Sequence, residues 1–150
     1  MHAFFMYLVV FVLSGGRPET PTEHMMAQVG TTNRELAGAI DEVTEDPRER
    51  SLLVAIARFE AGPSFAQNTV GDSGRSLGPF QRLNAPKHFL WDAHASAVEA
   101  LRQVRESWGG CRHLPKEDRL AIYARGRCSD RGRELSRPRV KMAMALGHWQ

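Results

Sequence analysis

DPRERSLLVAIARFEAGP, running from Asp46 to Pro63, is the stretch on which the fold turns. Aspartate caps helices by accepting a backbone N–H, proline suits the first helical position, and Gly62-Pro63 is a stop signal. The residues between them predict a helix with Leu52, Ile56 and Phe59 on one face and Leu53 and Glu60 beside it. Glu60 then falls in the last turn, at the border of the buried stripe.

Outward from this helix the pattern stays helical, with one interruption. Upstream, Leu36, Ile40 and Val43 are spaced by four and three, which predicts a helix starting at Thr32 or Asn33. Downstream, Asn68 to Gln81 (NTVGDSGRSLGPFQ) has no helical period. Its Gly71-Asp72-Ser73-Gly74 is a turn signal, and the flanking segments predict a small antiparallel hairpin. Beyond it, Asp92 can cap a helix carrying Ala97, Val98, Leu101, Val104 and Trp108. Pro115 can open another with Leu120, Ile122 and Tyr123, and Ser136 can cap a last one with Val140, Ala143 and Met144. The expected class is therefore α+β, mostly helical with one small antiparallel hairpin.

A chain of 150 residues has room for one domain with a real core. Its 42% hydrophobic and 25% charged residues exclude a disordered class. A net charge of +3 favours acidic partners (nucleic acid, anionic lipid or an anionic cell wall) without choosing among them. The arginines concentrate between Arg102 and Arg139, and a solvated surface explains most of them equally well.

Ala3 to Leu13 (AFFMYLVVFVL) is an uninterrupted apolar run followed by Ser14, Gly15 and Gly16. It is too short to span a bilayer stably and matches the core of a secretory signal. Before it, His2 alone stands in place of the usual positive segment, so a retained membrane anchor stays open. The expected organisation is a signal peptide or anchor over residues 1–16, a linker over 17–31, and one domain over 32–150. The expected location is periplasmic or extracellular. Cys111 and Cys128 could close one disulfide in such a compartment, or remain two buried thiols. With His113 they do not complete a four-ligand zinc set, and no HExxH occurs, so no metal is expected.

Cleaving a glycosidic bond needs a carboxylic acid that still holds its proton near neutral pH. Burial favours the neutral form of a carboxyl group, and so does the negative end of a helix dipole. Glu60 is placed to feel both. An apolar setting alone also predicts that Glu60→Gln leaves the fold as stable as before, because glutamine keeps the volume of the neutral acid.

Three motifs occur in order along the chain. They are Phe59-Glu60-Ala61-Gly62, then Val70 to Gln81 (VGDSGRSLGPFQ), then Ile122-Tyr123-Ala124-Arg125-Gly126. From Ser51 to Met144 the chain resembles the lysozyme-like lytic transglycosylases (SLT domains) and the goose-type lysozymes. Members pair a catalytic glutamate at a helix end with a glycine-rich hairpin and a later tyrosine. The resemblance implies a lysozyme-like fold, with Glu60 as the acid. It also implies that Asp72, Ser76, Gly78, Gln81 and Tyr123 line the sugar site. The sequence departs from the family pattern at Ala61, where serine is usual, at Pro79-Phe80 within the G-L-M-Q motif, and at Ala124, where asparagine is frequent.

An inverting hydrolase needs a second carboxylate to activate water. Asp72 resembles the turn aspartate of goose-type lysozymes, but their further acidic candidate falls here on Leu83. The resemblance therefore implies a lytic transglycosylase. It would cut between N-acetylmuramic acid and N-acetylglucosamine, leave a 1,6-anhydromuramyl end, and need no cofactor. A goose-type muramidase and a non-catalytic glycan-binding module are the alternatives. Peptidoglycan strands are the expected partner, nucleic acid is not, and a membrane enters only through a retained anchor. The expected state is a monomer.

Overall fold

The computed structural model describes residues 31–61, 70–71, 76–83 and 85–147. The apolar run at 3–13, most of the linker, the Gly62-Pro63 stop and Asp72 lie outside the described residues. Among the described residues, five α-helices form the body: α1 (Thr31–Val43), α2 (Pro47–Ala61), α3 (Ala93–Gly110), α4 (Ala121–Arg125) and α5 (Asp130–Gly147). Short 3-10 turns at Lys87–Leu90 and Lys116–Asp118 precede α3 and α4. Among the described residues, no helix is long and apolar enough to cross a membrane.

The helix at Asp46 starts as its sequence dictates. Asp46 Oδ1 accepts the Arg48 amide at 2.8 Å, and Pro47 opens α2. The middle of α2 is more deeply enclosed than a single apolar stripe would be. No residue from Ser51 to Ala57 is more than 3% exposed, whereas Phe59 is 40% exposed. A helix buried on every side is a central rod and not a half-submerged one. The sequence holds the reason: SLLVAIA carries no charge, and the charged residues gather at Arg48–Arg50 and at Arg58 and Glu60.

Helix α2 packs chiefly on α5, and α1 on α3. The α1–α2 corner is held by Arg50, which pairs with Asp41 at 2.9 Å and gives its Nε to the Thr44 carbonyl at 2.7 Å. Both side chains are buried, so each charge depends on the other for its solvation. Helix α5 begins at Asp130 and not at Ser136. Ser129 Oγ accepts the Gly132 amide at 3.2 Å, the cap role expected of Ser136. Ser136 lies buried inside the helix. It donates to the Glu117 carbonyl at 2.6 Å and accepts the Leu120 amide at 2.9 Å.

The α+β class is corrected: this is an all-helical fold. Among the described residues, pairing between strands is confined to β1 (Val70–Gly71), β2 (Ser76–Leu77) and β3 (Arg82–Leu83), each two residues long. They run antiparallel in the order β1-β2-β3, with Gly71 opposite Ser76 and Ser76 opposite Leu83. Two residues extend about 7 Å, too little to cover a core as a layer. The helices supply the core, and Phe80, in the turn between β2 and β3, is fully buried in it.

Candidate functional site

Glu60 stands in the last turn of α2 with 23% of its side chain exposed. Its expected apolar surroundings include a cation. Arg139 of α5 donates from Nη2 at 2.9 Å and from Nε at 3.2 Å, both to Glu60 Oε1. The same guanidinium gives Nη1 to the Leu135 carbonyl at 2.6 Å and lies 5.1 Å from the centre of the Phe59 ring. Arg139 is thus held by a carbonyl, a carboxylate and a π-face together. Glu60 Oε2 has no hydrogen-bond partner among the described residues. The pair fixes one carboxylate oxygen and leaves the other open to a bound group. Sequence reading missed Arg139, because its partner lies 79 residues away and no local pattern marks the contact.

The expected hairpin residues form a second unit. Gly78 has φ +82°, the left-handed region that favours glycine. A Cβ there would also stand 3.1 Å from the Phe89 carbonyl oxygen. Gln81 adopts φ +49°, and both its backbone N (3.0 Å) and its Nε2 (2.9 Å) donate to the Gly78 carbonyl. Its Oε1 occupies the space over Gly71, where a Cβ would sit only 2.2 Å from that oxygen. Gln81 therefore braces its own turn against β1. Ser76 is buried on β2. Asp72, the remaining hairpin candidate, is outside the described residues.

Tyr123 joins this unit from α4. Its hydroxyl donates to the Phe80 carbonyl at 3.0 Å, across 43 residues of sequence. The start of α4 is pinned to α3 by Ser107, whose Oγ donates to the Arg119 carbonyl at 2.7 Å and accepts the Tyr123 amide at 3.1 Å. Cys111, at the end of α3, is disulfide-bonded to Cys128, just before α5, with Cα atoms 5.8 Å apart. Tyr123 sits inside the loop that this bond closes.

The structure thus gathers Gly78, Phe80, Gln81 and Tyr123 into one braced turn, and Phe59, Glu60 and Arg139 into a charged cluster. Among the described residues, no hydrogen bond joins Glu60 to Gln81 or to Tyr123. Nor does any group of three or more His, Cys, Asp or Glu side chains among them come close enough to hold a metal ion. Compared with known proteins, the chain matches no family model, no curated protein and no solved structure.

Proposed function

We propose that the chain is a peptidoglycan lytic transglycosylase with Glu60 as its acid. In this reading a protonated Glu60 gives its proton to the oxygen linking N-acetylmuramic acid to N-acetylglucosamine, and that bond breaks. The carboxylate then takes the proton of the muramyl C6 hydroxyl as its oxygen closes on C1. A 1,6-anhydro ring forms and no water is consumed. Arg139, fixed on Oε1, would leave Oε2 to carry the proton and would steady the carboxylate between the two transfers. Gly78, Gln81 and Tyr123, with Ser76 and Asp72, would line the glycan path. Export belongs to the same reading, supported by the apolar run at 3–13 and by the disulfide.

The observation that carries the proposal is the hydrogen bond from Tyr123 to the Phe80 carbonyl. It draws the late tyrosine motif onto the Gly78–Gln81 turn, two of the three motifs on which the resemblance rests. The Arg139–Glu60 contact favours a second reading, in which the charge pair is structural and the protein grips glycan without cutting it.

The test is the digestion of purified cell walls, monitored by turbidity and by mass spectrometry of the products. Anhydro-muropeptides that resist borohydride, with lysis lost in Glu60→Gln and only partly reduced in Asp72→Asn, are expected. Reducing ends, with equal loss in both variants, would make the protein a hydrolase. Binding to walls without lysis would favour the second reading.

A further inference from the structure

A cavity of about 280 Å3 opens between the first turns of α2 and the last turns of α3. It is set apart from Glu60: Glu49 in its wall lies eleven helical positions before Glu60, about 17 Å at 1.5 Å per residue. Leu52, Val104 and Trp108 give it an apolar lining. Four cations and two carboxylates line the rest of the wall, and both oxygens of Glu49 and one of Asp46 are already engaged. Asp46 caps α2. Glu49 takes Arg105 Nε at 2.8 Å and Nη2 at 3.0 Å, and also accepts the Thr44 hydroxyl.

Two of the cations have no carboxylate of their own among the described residues. Lys116 is exposed at the rim. Arg119 is fixed in place, with Nε on the Leu114 carbonyl at 3.0 Å and its guanidinium 5.7 Å from the Trp108 ring centre. The turn that carries them is rigid, because Asp118 between them is clamped by Arg133 and Arg137 of α5 at 2.9 and 2.8 Å. An apolar hollow with a surplus of fixed positive charge suits an anion with an apolar body. A neutral sugar would leave the charge of Lys116 and Arg119 unanswered, and a cation would be repelled. A bare phosphate would leave the apolar lining uncovered.

We propose that this cavity is a binding site for a small organic carboxylate with a flat or branched apolar body. The body rests on Leu52, Val104 and Trp108, and the carboxylate meets Lys116 and Arg119. The site works independently of Glu60, and its test needs no wall-lytic activity.

The experiment is NMR titration of the full chain at constant ionic strength, monitoring the Gly109 amide and the Trp108 indole. The probes are 3-phenylpropionate, its neutral amide 3-phenylpropanamide, and acetate. Saturable shifts at Gly109 and Trp108 are expected with 3-phenylpropionate, and at least tenfold weaker binding of the other two. Lys116→Gln, at an exposed position, should weaken 3-phenylpropionate several-fold, and Arg119→Gln should do the same. Equal binding of acid and amide, shifts centred elsewhere, or an unchanged affinity in Lys116→Gln would each overturn the assignment.

Discussion

Arg139 changes what a substitution at Glu60 does to the protein. With apolar neighbours alone, Glu60→Gln would leave stability untouched, since only a desolvated charge is removed. With a guanidinium on Oε1, the glutamine variant leaves a mostly buried cation without its counter-charge, and stability should fall. Both groups retain some contact with water, so their coupling is expected to be modest, roughly 1 kcal/mol. A double-mutant cycle of Glu60→Gln and Arg139→Gln, measured by urea unfolding, reads it directly. A coupling of zero would mean that the two side chains do not hold each other in solution. The same cycle run on wall lysis separates the roles. If the proposed lytic reading is right, Arg139→Gln should slow lysis without abolishing it, because Arg139 would act through Glu60, whereas Glu60→Gln should leave none.

The elements differ in how they respond to acid. Helix α5 is bound to the Lys116–Asp118 turn through Asp118, whose carboxyl is held below its ordinary value near 3.8, first by Arg137 and then by Arg133. Glu49, on α2, is lowered in the same way by Arg105 on α3. A carboxyl that stays ionised to lower pH when folded lets the unfolded chain take up the proton first. Its stabilisation is therefore complete above the ordinary value and is lost progressively as pH falls from there through the lowered one. The urea midpoint should hold steady from pH 7 to about 5 and drop below about 4. In Asp118→Asn it should start lower and fall less. Acid limbs that run parallel in the two proteins would remove Asp118 from the cause.

Some of these elements could be read before any coordinates. Asp46 and Pro47 mark the start of α2, and Asp92 the start of α3, where it accepts the Ala95 amide at 2.9 Å. These are contacts between near neighbours in sequence. The 3.6-residue stripe drawn through Leu52, Ile56 and Phe59 missed the charge-free run that encloses α2, because a period reports one face and not depth. Ser136 was misread because a hydroxyl serves equally as a cap or as a buried cross-link, and only the α5–turn packing decides. The α+β class failed because turn residues announce a reversal without saying how long the paired segments are. In the candidate site, Glu60 is marked by its helix end and by motif order and Tyr123 by motif order, while Arg139 depends on α2–α5 packing that no local pattern encodes.

For the molecule as a whole, the Cys111–Cys128 bond is the one covalent tie between helices among the described residues. It closes a loop over a sequence separation of 17 residues, worth about 3 kcal/mol in the chain-entropy account. Reduction should lower the melting temperature by roughly 10 °C for a domain of this size. It should also loosen the α4 segment that brings Tyr123 to the Phe80 carbonyl, so under the proposed function lysis should decline before the fold does. Thermal melts and wall assays with and without reductant check both statements, and an unchanged melt in Cys111→Ser/Cys128→Ser would refute the first. The same bond sets the path of mechanical load. A polypeptide pulled from its ends lengthens by about 3.6 Å per residue, so the oxidised chain withholds roughly 60 Å of contour. Tension reaching Cys111 crosses through sulfur to Cys128 and continues into α5. Tyr123, on the slack side of that bridge, carries none of it.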